Sequence, residues 1–177
     1  MEVRAKCKFD PASIRALSHL QFYGKYNPKV RMRLRMCFYL AVLSLFVVNI
    51  ILFGFEQKFL TMFVVCLLVI FFECFAFFIY PKIQFRAMAK LQYASNEYTF
   101  CDDVLKVVTV SDYFQGNEEL RYSLFIKVYE TSAFFFLFQT KTQVLIVDKS
   151  TIENGTEEEI RNQLTASMQG KYIVCHY

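Results

Sequence analysis

The sequence predicts an α+β membrane protein, in which a two-helix transmembrane hairpin carries a small antiparallel β-domain closed by a C-terminal helix. Three observations predict this fold. Residues 37–80 hold 36 apolar side chains in 44 positions, whereas the whole chain of 177 residues is 55% apolar. A series of short strand-like segments follows this apolar region. The series ends in one amphipathic segment with a clear helix-start signal.

Residues 1–36 are predicted to form a strand, an amphipathic helix and a basic segment, all in the cytoplasm. From Val3 to Phe9, apolar and basic side chains alternate as they do in a short strand. Asp10 followed by Pro11 is typical of a helix start, and the apolar spacing continues to about residue 24. A strand this short cannot form a sheet alone, so we hypothesise that it pairs with the C-terminal domain.

Two apolar runs, 37–55 and 59–80, predict the membrane hairpin. The first run contains no charged residue, and the second contains only Glu73. At 1.5 Å per residue they span about 28 and about 33 Å, close to the roughly 30 Å hydrocarbon core of a bilayer. The connection is so short that both flanks lie on one side, and Pro81 is expected to end the second helix. Two buried helices of a soluble protein are the alternative, but such helices rarely lack a polar face over this length.

A cluster of cations flanks the two runs and predicts their orientation. We call this cluster the collar: Lys25, Lys29, Arg31, Arg33, Arg35, Lys82, Arg86 and Lys90. The connection between the runs holds Lys58 alone, so the positive-inside rule places both termini in the cytoplasm. Cations beside membrane helices also attract anionic lipid headgroups, which explains the collar better than nucleic-acid binding does. The expected partner is therefore the lipid bilayer, crossed twice, and no nucleic acid is expected.

Glu73 is the candidate functional residue inside the membrane. It lies about 10 Å inside the cytoplasmic end of its run, at a depth where a carboxyl group marks ion or proton handling or a polar clamp. The alternative is a carboxyl group that is protonated, or hydrogen-bonded to the neighbouring helix or to a second copy of the chain. Tyr39 and Ser44 are expected at a similar depth. We favour the packing role, because a transport path needs more than one polar group.

Residues 81–95 are predicted to form a basic juxtamembrane connection, and residues 96–177 the cytoplasmic β-domain. Strands are expected at 98–101, 104–110, 133–139 and 143–148, with one or two strands over 120–129 and turns at 102–103, 115–117 and 140–142. Thr156 and Glu159 have the spacing of a capping box, which predicts a helix over about 157–169 that lies across the sheet. Residues 96–177 carry seven basic and twelve acidic side chains, a net charge of −5, whereas residues 1–36 carry a net charge of +7.

Motifs for catalysis, metals and cofactors are missing from the sequence. The six cysteines show no Cys-x-x-Cys spacing, and His19 and His176 lie at opposite ends of the chain without a nucleophile partner. Asp102–Asp103 is explained better by a turn than by a metal site. Glu130 and Lys149 are candidates for a cross-strand ion pair worth a few tenths of a kcal/mol. We therefore expect a non-enzymatic protein without a cofactor or a metal.

The order of these elements resembles that of the YcxB-like family, a bacterial membrane family whose C-terminal domain is related to pleckstrin-homology-like folds. The most specific parts of the resemblance are Tyr80–Pro81, Lys127–Thr131 before the aromatic segment Phe134–Phe138, and Val144–Lys149. The resemblance implies a fold and a bacterial inner-membrane location, but no reaction. Pleckstrin-homology-like domains often bind phosphoinositides or peptides through basic loops, and this acidic domain departs from that pattern.

These observations favour a non-enzymatic bacterial inner-membrane protein that holds a pleckstrin-homology-like domain at the membrane for docking, scaffolding or sensing. Its partner would be an unidentified cytoplasmic or membrane protein, and a homo-oligomer is an open alternative. The alternative function is a small transport or channel component that uses Glu73. Such a component would have to be oligomeric, because two helices cannot enclose a pore alone.

Overall fold

The computed structural model describes residues 2–8, 10–54, 57–87, 94–111, 115–168 and 170–175. Its main elements are β1 (Val3–Lys8), α1 (Pro11–Tyr23), α2 (Pro28–Phe53), α3 (Gln57–Cys74), a π-helical segment (Phe75–Ile79), α4 (Tyr80–Ala87), β2 (Ser95–Phe100), β3 (Val104–Val110), β4 (Gln115–Arg121), β5 (Lys127–Glu130), β6 (Phe134–Phe138), β7 (Val144–Asp148), α5 (Glu157–Ser167) and β8 (Tyr172–Val174). The predicted α+β fold is confirmed, with two long apolar helices, an antiparallel sheet and a C-terminal helix.

The strands form two four-stranded sheets, ordered β1-β2-β3-β4 and β7-β6-β5-β8. β1 pairs antiparallel with β2, which confirms the hypothesis that the N-terminal strand joins the C-terminal domain. In this register Val3 lies opposite Phe100 and Ala5 opposite Tyr98, and all four side chains are buried. The apolar residues of the alternating N-terminal pattern therefore supply one wall of the core. We call β1 to β8 together with α5 the β-domain.

The outer edge of β1 is covered by the chain that follows β7. Arg4 and Glu153 exchange two backbone hydrogen bonds, at 2.9 and 2.7 Å. The Thr151 hydroxyl accepts from the Lys6 amide at 2.8 Å and lies 2.6 Å from the Lys6 carbonyl oxygen. The strand orders place β4 at the other edge of the first sheet and β8 at one edge of the second.

Aromatic and aliphatic side chains from both sheets and from two helices fill the core. All five residues of β6 are buried, so both of its faces are covered. Ile160 and Leu164 of α5 are fully buried against the sheets. The predicted capping box is present, because Thr156 accepts from the Glu159 amide at 3.2 Å while the Glu159 carboxylate accepts from the Thr156 amide at 2.8 Å.

The hairpin helices extend further than the apolar runs predict. Two stretches are long and apolar enough to span a membrane, Pro28–Leu52 and Leu60–Ala87, and in each the most apolar window has no buried residue. The expectation that Pro81 ends the second helix is wrong, since α4 continues to Ala87. The π-helical segment directly before α4 widens the backbone where Pro81 supplies no amide hydrogen. The division of the chain into domains stays a prediction.

One further strand prediction is corrected by the structure. Residues 115–117 belong to β4 and pair with β3, instead of forming a turn. β4 is an exposed edge strand, so it lacks the apolar alternation that marks half-buried strands. Of the one or two strands expected over 120–129 the structure has two, because a 3₁₀ turn at residues 122–124 separates β4 from β5. β8 was not predicted, because its three residues are too few to show a pattern; it pairs in parallel with β5.

Candidate functional site

Helix α1 lies between the β-domain and the hairpin, and we call its contacts with the hairpin the junction. Towards the β-domain, α1 buries Leu17 and Leu20 in the core. Towards the hairpin, four side chains of α1 form the junction: Ser18, His19, Phe22 and Tyr23. A helix with both faces engaged fixes the position of the β-domain relative to the hairpin.

The junction combines a polar contact with two ring contacts. Ser18 is fully buried, and its hydroxyl lies 2.6 Å from the side-chain oxygen of Gln84 in α4. The rings of Phe22 and Tyr80 meet edge to face, with centroids 5.3 Å apart. This arrangement is a favoured geometry for aromatic pairs. α4 therefore extends the hairpin into a surface on which α1 packs.

His19 contacts the helical backbone at the place where Pro81 perturbs it. The His19 ring stacks on Phe77 with centroids 4.5 Å apart, and its Nε2 lies 3.4 Å from the Phe77 carbonyl oxygen. Phe77 is four residues before Pro81, so in a regular α-helix its carbonyl would accept from the amide hydrogen that proline lacks. Burial lowers the pKa of His19, the Phe77 carbonyl opposes this shift in part, and Arg15 and Lys29 add to it. The ring is therefore neutral at pH 7 and can donate through Nε2 to this carbonyl.

Glu73 forms an ion pair across the hairpin with Arg35 of α2. The Arg35 guanidinium also lies over the ring of Tyr23 in α1, 5.7 Å from its centroid. Burial and then the charge of Glu73 raise the pKa of Tyr23, so its hydroxyl stays neutral. Tyr39 and Ser44, which sequence counting places at the depth of Glu73, are not its partners here, and Ser44 bonds to a carbonyl of its own helix. The long Arg35 side chain explains why a residue one helical turn before Tyr39 reaches this carboxylate.

The collar divides into residues that serve the fold and residues that face solvent. Arg35 pairs with Glu73, and Arg31 donates to the Tyr23 carbonyl at 3.0 Å while its guanidinium covers the Tyr26 ring. Lys25 also lies near the Tyr26 ring. The exposed collar residues are Lys25, Lys29, Arg33, Lys82 and Arg86. Lys90 lies outside the described residues, as do Phe9 and His176. That the collar places the protein at the membrane stays a prediction.

The central part of the β-domain is similar to a known protein family. Residues 100–164 match the family model described as YcxB-like protein. This span is similar to the YcxB-like family. The predicted resemblance is thereby confirmed over a span that runs from the end of β2 into α5 and includes three of its motifs, Lys127–Thr131, Phe134–Phe138 and Val144–Lys149. No curated protein and no solved structure matches the chain.

A buried charge network holds the β-domain together around Glu130. The Lys149 ammonium lies 2.7 Å from the Glu130 carboxylate and 2.6 Å from that of Glu157. Arg161 binds both Glu130 oxygens through Nε and Nη2 at 2.6–3.1 Å, and it also reaches Glu157 at 2.7 Å. The Tyr172 hydroxyl donates to Glu130 as well. The network therefore connects β5, the turn after β7, α5 and β8.

The Glu130–Lys149 pair forms as predicted, but its character differs from the prediction. Lys149 lies in the turn after β7 rather than across a strand pair. The two side chains are 4% and 8% exposed, so the pair is buried. Burial alone would raise the pKa of Glu130, but hydrogen bonds from Arg161, Lys149 and Tyr172 lower it to about 2. The hydrogen bond to Glu130, with the charges of Glu130 and Glu157, raises the pKa of Arg161 further above its ordinary value.

The thiol of Cys7 in β1 is embedded in the core of the β-domain. Burial, with the charges of Asp148 and Asp10, raises the pKa of the Cys7 thiol to about 12, which leaves it protonated and unreactive at neutral pH. All six cysteines are free thiols. Across the described ranges no group of three or more His, Cys, Asp or Glu side chains is placed to hold a metal ion.

Sequence reasoning missed most members of these two clusters: Glu157, Arg161 and Tyr172 in the charge network, and Ser18, His19, Phe22 and Tyr23 as junction residues. Arg161 had a usable signal, since it follows Glu157 by four residues on one helix face. Pro81 gave a usable signal for His19, because a proline inside a helix leaves a carbonyl that needs a donor. Tyr172 had none, because it belongs to the strand that was not predicted.

Proposed function

We propose that this protein is a non-enzymatic membrane anchor for its YcxB-like domain. In this proposal α2 and α3 span the bacterial inner membrane with both flanks in the cytoplasm, and the β-domain is held at the membrane surface to dock a protein. The observation that carries the proposal is the double role of α1, which is buried in the β-domain core on one face and packed on the hairpin on the other. A flexible tether would need no such contacts.

The exposed side chains of the hairpin support the membrane part of the proposal. Large apolar residues along α2 and α3 are exposed, for example Leu45 at 69%, Ile51 at 75% and Phe72 at 64%. A surface of that kind is stable in lipid and prone to aggregate in water. The exposed collar residues, which include Arg33 and Lys82, lie at the end of the hairpin where cytoplasmic cations are expected.

Cysteine accessibility in spheroplasts tests the proposed topology. A membrane-impermeant maleimide should label Lys58→Cys, in the connection of the hairpin, without permeabilisation. Glu119→Cys, on exposed β4, should react only after permeabilisation. The wild-type chain is the matched control for its own six thiols. Equal labelling of both variants in intact spheroplasts, or release of the protein by alkaline carbonate, would contradict the anchor proposal.

The outer edge of β4 is the proposed docking surface. Within the described ranges no strand pairs with this edge, and Gln115, Asn117, Glu118 and Glu119 are exposed on it. Residues 96–177 carry a net charge of −5, so the fitting partner is a protein segment that is extended and basic. If the β-domain is pleckstrin-homology-like, we propose that it also docks its partner through this edge. The two sheets and the closing helix support a pleckstrin-homology-like fold.

Site-specific photo-crosslinking tests the docking surface. A photoreactive residue at Asn117 should give a defined adduct in cells, and the reversal Glu118→Lys should reduce it. A photoreactive residue at Ser150 is the control. Ser150 is exposed in the turn after β7, which lies beside β1 at the other edge of the first sheet from β4. An adduct of equal yield at both positions, or one that Glu118→Lys leaves unchanged, would contradict docking through β4.

The Arg35–Glu73 pair favours a structural role for Glu73 over ion transport. A carboxylate that carries ions or protons must exchange its partner, whereas Glu73 is bound to a cation of the adjacent helix and lies beside Tyr23. The absence of enzymatic activity is likewise part of the proposal. It is supported by the ion pairs around Glu130, in which the ionisable groups neutralise one another.

A further inference from the structure

A basic groove lies between the first turns of α1 and the helix α4. Its volume is about 240 Å³, and it is lined by Pro11, Arg15, Pro81, Lys82, Phe85 and Arg86. Three of these six residues are cations, one from α1 and two from α4, and all three are exposed. Arg15 is not part of the collar in sequence, and only the packing of α1 on α4 brings it to Lys82 and Arg86.

No described carboxylate forms an ion pair with Arg15, Lys82 or Arg86. Asp10, the acidic residue nearest to the groove in sequence, caps α1 by accepting from the Ser13 amide at 2.7 Å. Three cations thus share one small groove without a paired anion. Their mutual repulsion is relieved when an anion binds between them.

The groove lies at the level where lipid phosphates are found. Counted from Phe59 at 1.5 Å per residue, Lys82 is about 35 Å and Arg86 about 40 Å along the helix. Both distances are just beyond the roughly 30 Å hydrocarbon core, in the headgroup layer. Ile83, between these two cations, is 49% exposed, which suits contact with the upper part of an acyl chain.

We propose that this groove binds the phosphate group of an anionic phospholipid. The Arg15 guanidinium offers a planar fork of donors to the phosphate oxygens, and Lys82 and Arg86 neutralise its charge from the other side. The inference rests on the proposed function, since it needs the hairpin to lie in a bilayer. It adds a selective lipid site, whose occupation ties α1, and with it the β-domain, to the membrane surface.

Lipid titration of the full chain in a neutral detergent tests this site. Native mass spectrometry of the purified protein should detect bound phosphatidylglycerol at concentrations where phosphatidylcholine does not bind. Arg15→Gln and Lys82→Gln should each weaken phosphatidylglycerol binding about fivefold, since one cation near the headgroup contributes about 1 kcal/mol. Arg15→Lys should restore part of the affinity. A neutral micelle lacks an anionic surface, so general attraction to the collar does not contribute.

Arg33→Gln is the matched control, because it removes one exposed juxtamembrane cation outside the groove. It should change the affinity by less than about twofold. Wild-type affinity in Arg15→Gln, or an equal loss in Arg33→Gln, would overturn the site. Competition by glycerol phosphate at the same concentration as the lipid would identify a soluble phosphate as the ligand and overturn the lipid assignment.

Failure of this site and failure of the anchor are distinguishable. If spheroplast labelling and carbonate extraction show no integral membrane protein, the anchor proposal falls and takes the lipid site with it. If the topology is as proposed but phosphatidylglycerol and phosphatidylcholine bind equally, only the lipid site is wrong. Circular dichroism of each variant in detergent checks that the substitution has left the fold intact, and Lys82→Gln decides the test if Arg15→Gln does not fold.

Discussion

Glu73 in the hairpin and Glu130 in the β-domain are both carboxylates in apolar surroundings, and the protein neutralises them differently. Glu130 is 4% exposed and receives hydrogen bonds from Lys149, Arg161 and Tyr172. Glu73 is 18% exposed and has one cationic partner, Arg35, which is itself 39% exposed. The first carboxylate is fully coordinated within one domain, whereas the second joins two helices beside a third.

The difference indicates two separate uses of a buried charge. Around Glu130, donors from distant parts of the chain converge, so the network specifies how β5, α5 and β8 fit together. At Glu73, a single pair sets the register of α2 against α3 and places Arg35 under Tyr23 of α1. Loss of the first should therefore unfold the β-domain, and loss of the second should loosen the junction.

The largest expected effect is that of Glu130→Ala. It leaves the buried Lys149 without its main anion, and breaking a buried charge network in this way typically costs about 3–5 kcal/mol. Urea unfolding of the full chain in detergent, followed by circular dichroism, measures the loss. Glu119→Ala, which removes the exposed pair with Lys106, is the control and should cost less than about 1 kcal/mol. Equal losses in the two variants would remove the distinction between a buried network and a surface pair.

Acidification should destabilise the β-domain through the same carboxylate. Folding lowers the pKa of Glu130 from its ordinary value of 4.5 to about 2. Burial raises this pKa, but the hydrogen bonds from Arg161, Lys149 and Tyr172 lower it by more. Its contribution to stability is therefore complete above pH 4.5 and is lost as the pH falls towards 2. The midpoint of urea unfolding should fall over this interval in the wild type, and less steeply in Glu130→Gln. A profile unchanged by Glu130→Gln would assign acid sensitivity to other groups.

Glu73→Gln should have a smaller effect on the junction. Arg35 is partly exposed and keeps its contact with the Tyr23 ring, so we expect a loss of about 1–2 kcal/mol. A double-mutant cycle with Arg35→Gln in thermal unfolding isolates the pair, and the double variant should lose less stability than the two single variants lose together. A coupling energy near zero would show that the two side chains do not stabilise each other.

The smallest expected effect is that of His19→Phe at the same junction. The substitution keeps a ring on Phe77 but removes the donor to the Phe77 carbonyl, whose hydrogen bond of 3.4 Å is long. The cost should be about 0.5–1.5 kcal/mol by thermal unfolding in detergent. Pro81→Ala supplies an amide hydrogen to the helix, so in that background His19→Phe should cost less. An unchanged cost would show that Pro81 and His19 act independently.

Local patterns in the sequence predicted the helices and strands. They could not predict the contacts that depend on pairings between distant parts of the chain. The alternation from Val3 to Phe9, the capping box at Thr156 and the apolar runs each have a short period, and each predicted its element. The Arg35–Glu73 pair was missed because it depends on the exact length of two helices and on one long side chain. β4 was partly mistaken for a turn because an exposed edge strand has no burial pattern. The junction depends on how α1 packs on α4, which no local pattern encodes.

Chemical crosslinking across the junction tests most directly whether α1 fixes the β-domain to the hairpin. Ser18→Cys and Gln84→Cys, introduced together, replace side chains whose oxygens lie 2.6 Å apart. In native membranes, a short bifunctional thiol reagent, which spans the gap left by the shorter cysteine at position 84, should crosslink this pair in most molecules, as measured by protection from a polyethylene-glycol maleimide. Ser18→Cys with Ile83→Cys, on the exposed side of α4, should crosslink poorly. Equal and low crosslinking of both pairs would mean that the β-domain is tethered loosely and would contradict a fixed junction.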